Sequence, residues 1–142
     1  MNARPKQSRF ALMAAALICR ANGLESIADE IVAFADARDW LSAVPTVTFG
    51  ETYRPPATAR FYAQAGIGIR NSLHTKKLAI DLNLFCDLDG DGDLDYAPLS
   101  EYHKPLGVWW EGVGSADFPT AWGGRFRRPD GNHYSVSDGG VK

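Results

Sequence analysis

The chain has little cysteine, no long apolar run and no marked excess of either charge. Its two cysteines, Cys19 and Cys86, are too few and too far apart for a disulfide framework or a Cys-x-x-Cys metal site. Free, mostly buried thiols are expected. The longest apolar stretch, Phe10 to Cys19, falls well short of the ~20 residues that a membrane-spanning helix needs. Lysine and arginine total 15 against 17 aspartates and glutamates, a net charge of -2, so no global positive field draws the chain to nucleic acid or anionic lipid. No internal repeat or low-complexity segment stands out. Any partner must be recognised locally.

What is present suffices for a core: 142 residues, 45% apolar and 11% aromatic, make one domain of two textures. Residues 1–43 are helical in character. Arg4, Lys6 and Arg9 precede the apolar run in the outline of a signal peptide. The run continues without a breaker into Arg20-Ala-Asn22, and apolar residues persist at helical spacing through Leu24, Ile27, Ile31, Val32 and Phe34, which favours a folded amphipathic segment over a secretion signal. Asn22-Gly23 is a helix stop, and Glu25 or Ser26 opens a second helix.

Residues 44–136 are β-like and irregular. Val44 to Phe49 reads as a strand, confined by Pro45 to an edge or a strand start; Glu51 to Pro56 is a turn and Pro56 to Ala65 a short helix. From Ala79 to Phe85 the pattern alternates, so Ile80, Leu82 and Leu84 face a core while Asp81 projects from the other side. A final strand, His133 to Val136, carries His133 and Ser135 on one face. The class is α+β, a small antiparallel sheet with flanking helices.

Four residues carry chemistry. Ser72-Leu-His74, Asp81 and Asp130-Gly-Asn-His133 offer two histidines and a carboxylate, which hold a tetrahedral Zn²⁺ and leave one position open for water. Asp130, three residues before His133, is placed to take that water's proton. Ser72 lies two residues before His74, on the same face if the segment is extended, where it can bind substrate or orient a ligand. A lone histidine near a strand is more often a satisfied surface or core residue, and His103 takes that reading. Trp109 and Trp110 are expected in the core; Trp122 is a candidate to line the site.

A second unusual stretch is Asp87-Leu-Asp-Gly-Asp-Gly-Asp-Leu-Asp95. Asp87, Asp89, Asp91 and Gly92 match the start of an EF-hand loop, with Asp93 and Asp95 beyond, so Ca²⁺ is a sensible guest for these crowded carboxylates. The bidentate Glu at the twelfth position is missing, and Pro98 stands there. The plainer alternative is a solvated acidic hairpin turn. Because the loop follows the strand of Asp81, bound Ca²⁺ would be expected to order that strand.

The ordered combination of Ser72-x-His74, Asp81 within Leu78-Ala-Ile-Asp-Leu-Asn-Leu-Phe85, Lys104-Pro-Leu-Gly107, Trp122-Gly-Gly124 and Asp130-x-x-His133 resembles zinc peptidases of the D-alanyl-D-alanine carboxypeptidase type. It is most similar to their branch of phage L-alanyl-D-glutamate endopeptidases. The resemblance covers Thr48 to Val136. It implies the zinc peptidase fold shared with hedgehog domains, zinc on His74, Asp81 and His133, Asp130 as catalytic base, and Arg54, in the turn Tyr53-Arg54, polarising the scissile carbonyl. Lys77, where many relatives carry Gly, and an Asp rather than Glu at 130 both resemble the endolysin branch. The implied substrate is a peptidoglycan stem peptide cut between L-Ala and D-Glu. The rivals are a D,D-carboxypeptidase and a non-catalytic binding module. A monomer is expected, made in the cytoplasm and reaching the wall after release as a phage or prophage lysis protein.

Overall fold

A computed structural model describes residues 3–37 and 46–142, and the expected strand residues Val44 and Pro45 lie outside that set. The chain divides into two compact units, one of residues 1–48 with 85–95, the other of residues 49–84 with 96–142.

The first unit holds helices α1 (Ala3–Ala21) and α2 (Glu25–Ala37). The stop between them is the one the sequence announces. Gly23 takes φ 78°, its N–H bonds the Arg20 carbonyl at 3.0 Å, and the Leu24 N–H reaches back to Cys19 at 2.9 Å. These are the two bonds of a Schellman cap, whose left-handed residue is most readily glycine. The Asn22 side chain caps a further carbonyl, that of Ile18. The helices pack through small residues, with Ala16, Ala28 and Ala35 buried.

Strand β1 (Thr46–Phe49) ends where the second unit begins. Helix α3 (Pro56–Gln64) follows, started by a proline in its first turn, where the missing N–H has no intrahelical acceptor to lose. Next come β2 (Ala79–Cys86), the two-residue β3 (Asp95–Tyr96), helix α4 (Ser100–Gly112), β4 (Thr120–Trp122) and β5 (His133–Val136). In the second unit β5 lies between β2 and β4, antiparallel to both. The register pairs Asp81 with His133 and Trp122 with Tyr134.

Helix α4 is the element the sequence hid. Pro105 and Gly107 sit inside it, and both argue locally for a loop. Tertiary packing decides otherwise. The Trp122 ring lies so close to Gly107 that any side chain there would clash, and Trp122 donates its indole N–H to the Gly131 carbonyl at 2.7 Å. Buried His103 meets the Tyr134 hydroxyl at 2.9 Å, and Trp110 donates to the Ser135 carbonyl at 3.0 Å. Thus the helix covers the β4–β5 side of the sheet. Leu73, Leu84, Ala121, Trp122 and Tyr134 form the adjoining core.

Candidate metal centre

His74 stands on a short 3-10 turn, Leu73–Lys76, so the segment at Ser72 is not extended. Ser72 caps that turn. Its hydroxyl accepts the His74 backbone N–H at 3.3 Å, so it orients His74 through the backbone, with the segment folded because this cap satisfies the turn's first free N–H. The turn ends at Lys77 with φ 61°, the left-handed conformation that glycine adopts most cheaply, and the chain then enters β2.

The His74 ring is fixed by its far nitrogen. Nδ1 lies 2.7 Å from the Thr52 carbonyl, which can only accept, so Nδ1 carries the proton and Nε2 presents a lone pair. That lone pair faces Asp81 Oδ1 at 3.3 Å, and His133 Nδ1 lies 3.2 Å from the same oxygen. Asp81 and His133 meet because the register places them opposite each other on neighbouring strands. Asp81 is locked along its backbone too, accepting from Gly50 and donating to Glu51, both at 2.8 Å.

A carboxylate oxygen facing a lone pair requires a cation between them, a proton or a metal. Zinc ligands at ~2.1 Å in tetrahedral array stand about 3.4 Å apart, close to the separations of Asp81 Oδ1 from the two histidine nitrogens. The three donor atoms lie within 4.8 Å of one another, in a mostly buried group. The residues therefore fit a single small divalent ion.

The electrostatics show what the cluster does when protons fill that role. Burial opposes charge on His74, yet its hydrogen bonds to Asp81 and the Thr52 carbonyl, with the charges of Asp81 and Glu51, raise its pKa above the usual value. Burial likewise opposes charge on Asp81, but hydrogen bonds from His133 and His74 pull its carboxyl down to about 2. Asp130 moves the other way. Desolvation and the nearby negative charge of Asp81 raise its pKa, against the opposing pull of His133, His74 and Arg54.

These groups share a cavity of about 430 Å³, whose wall includes His74, Asp81, His133, Arg54, Asp130 and Arg128. Asp130 is held by a turn in which its N–H donates to the Gly123 carbonyl at 2.8 Å and its carbonyl accepts from His133 at 3.1 Å. A side chain on Gly123 would strike the Asp130 carbonyl and the His133 side chain, so only glycine allows that approach. Arg54 is brought to the cavity by its backbone N–H, which bonds the His74 carbonyl at 3.0 Å.

Several expectations need correcting. Trp122 is a core residue, not a wall of the cavity; packing against Gly107 and Gly124 turns it inward. Trp109 is 65% exposed, on the outer face of α4. Cys19 and Cys86 are free but only half-buried. In the acidic loop, Asp87, Asp89 and Asp95 come together as a group that could hold a metal ion, while Asp91 and Asp93 stand outside that group. The carboxylates mostly serve the loop's own turns: Asp87 accepts from Gly90 and Gly92, Asp89 from Asp91, and Asp91 from Asp93. Glu51, Thr52 and Arg128 are site residues that spacing did not reveal. Thr52 acts through its carbonyl, which no side-chain pattern can signal.

No protein-family profile and no curated protein sequence matches the chain. Among solved structures, the crystal structure of Serratia marcescens L-Ala D-Glu endopeptidase ChiX superposes with a TM-score of 0.51 at 20% sequence identity. The match covers 65% of this chain and 67% of that one. At that level of identity the likeness is one of fold: this chain carries the α+β architecture of that endopeptidase.

Proposed function

We propose that the chain is a zinc-dependent peptidase that hydrolyses a stem-peptide bond of peptidoglycan, between L-Ala and D-Glu. The observation that carries this reading is the convergence of His74 Nε2, Asp81 Oδ1 and His133 Nδ1 beside Asp130 and Arg54 in one cavity. The fold likeness to an L-Ala D-Glu endopeptidase supports it, as does the resemblance of the motifs. Arg128 and Lys142 also line the cavity and suit a substrate that bears a carboxylate near the scissile bond.

Zn²⁺ held by His74, Asp81 and His133 would supply Lewis acidity, lowering the pKa of water and polarising a carbonyl. The chain's own residues do the rest. Asp130 accepts a proton from the attacking water as its oxygen bonds to the carbonyl carbon, and the Arg54 guanidinium steadies the charge that develops on the carbonyl oxygen. As the C–N bond breaks, Asp130 returns the proton to the leaving amine. No covalent enzyme intermediate is needed.

Digestion of purified peptidoglycan, with Asp130→Ala as control, tests the reading. New C-terminal Ala and N-terminal D-Glu are expected from the zinc-loaded wild type only. Free D-Ala would instead indicate a carboxypeptidase, and no product at all a binding module.

A further inference from the structure

Arg54 would be of little use as an oxyanion partner if its guanidinium wandered. A long side chain loses considerable rotamer entropy when it is ordered, so something must hold it. Its Nε lies 2.7 Å from Glu51 Oε1, and Nη2 contacts the same oxygen. The face of Tyr62 backs the guanidinium carbon at 5.1 Å. The arrangement is protected, with the Arg54 and Glu51 side chains only 13% and 31% exposed. Two charge-assisted bonds at a half-buried site fix direction as well as position, unlike an isolated surface ion pair.

The same segment also reaches the metal ligands. Glu51 Oε1 lies 3.8 Å from His74 Nδ1, the Glu51 carbonyl accepts the Asp81 N–H, and the Thr52 carbonyl fixes the His74 ring. Residues 51–54 therefore form one strap that bonds two ligands and Arg54.

We infer that Glu51 is a positioning residue, which aims the Arg54 guanidinium into the cavity while Tyr62 supports it from behind. The inference rests on the peptidase reading for its catalytic consequence, but not for the clamp itself. Glu51 never touches the substrate. It acts by leaving Arg54 the one orientation in which its remaining N–H donors face the cavity.

The test compares zinc-loaded wild type with Glu51→Ala, Glu51→Gln, Arg54→Ala and the double variant Glu51→Ala/Arg54→Ala, using a synthetic L-Ala-D-Glu stem peptide. Glu51→Ala and Arg54→Ala are each expected to lower kcat by roughly tenfold or more, with KM changed by less than about twofold. The double variant should be no slower than Arg54→Ala alone, because Glu51 acts only through Arg54. Glu51→Gln, which keeps an acceptor, should recover part of the loss. Zinc affinity, read by chelator competition, should stay near wild type in Glu51→Ala. A readout without turnover is the Arg54 Nε–H resonance, expected to be protected from solvent exchange in wild type and to lose that protection in Glu51→Ala. Losses that multiply in the double variant, a fully active Glu51→Ala, or an Arg54 signal indifferent to Glu51 would overturn the inference. If the wild type cuts no stem peptide while the Arg54 signal still depends on Glu51, the clamp stands and the peptidase reading falls.

Discussion

Residue by residue, the site is a set of competing electrostatic demands, and each yields an observable. A base at Asp130, as proposed, must be ionised, and in the metal-free chain desolvation and the charge of neighbouring Asp81 raise its pKa above the ordinary carboxyl value of 3.8. The acid limb of the kcat/KM profile should follow the ionisation of this carboxyl, with activity rising as pH increases through it. Asp130→Asn should remove that limb and lower kcat by roughly 10²–10⁴-fold while zinc stays bound. Arg128, exposed on the cavity wall, tests the proposed substrate. Arg128→Ala should raise KM about tenfold for a peptide carrying a free carboxylate at D-Glu, and hardly at all for the amidated peptide. Lys77 gives a conformational test. A β-branched residue fits its left-handed backbone poorly, so Lys77→Val should cost about 1–3 kcal/mol of stability by thermal unfolding, whereas Lys77→Gly should be tolerated.

At the scale of elements, legibility followed how local the cause was. The α1–α2 stop could be read from Asn22-Gly23, because a Schellman cap is made by neighbours in sequence. The alternation around Asp81 and the final strand at His133 were equally plain, and their antiparallel register brings together two of the three candidate ligands. The setting of Ser72 was not. A serine two residues before His74 is compatible with a strand or with a cap, and only the hydrogen bond to the His74 N–H distinguishes them. Helix α4 was hidden for a different reason: its Pro105 and Gly107 oppose a helix locally, while its cause, the Trp122 ring against Gly107, lies on a distant strand. Trp122→Ala should therefore destabilise the fold by roughly 3–5 kcal/mol in denaturant titrations, the cost of emptying a large core position. Any residual folded protein should keep its zinc, since Trp122 does not line the cavity.

For the whole molecule, the ligand cluster links folding, pH and metal. Without metal, the folded state holds the Asp81 carboxyl at about 2, below its ordinary 3.8. A depressed carboxyl contributes stability above its unfolded value, on the order of 2 kcal/mol here, and that contribution is lost as pH falls from about 4 towards 2. His74 has the opposite sign: its raised pKa contributes stability below 6.5 that fades as pH rises through the elevated folded value. If zinc binds as proposed it would displace the His74 proton, so the metal-free protein should gain more thermal stability from zinc at pH 8 than at pH 6. The candidate site was legible as far as the four residues that converge in it, because His74, Asp81, Asp130 and His133 keep characteristic spacings. Its supporting shell was not, because the Thr52 carbonyl and the Glu51 clamp depend on how a turn folds back rather than on any pattern of residue types.

In the proposed function His74, Asp81 and His133 hold one metal ion. Elemental analysis of the purified chain after zinc loading and gel filtration measures it directly. One zinc per chain is expected in wild type and in Asp130→Ala, and none in Asp81→Ala or His133→Ala variants whose circular dichroism shows them folded. A folded wild-type chain that retains no zinc, or an Asp81→Ala chain that retains it fully, would rule out zinc at these three residues.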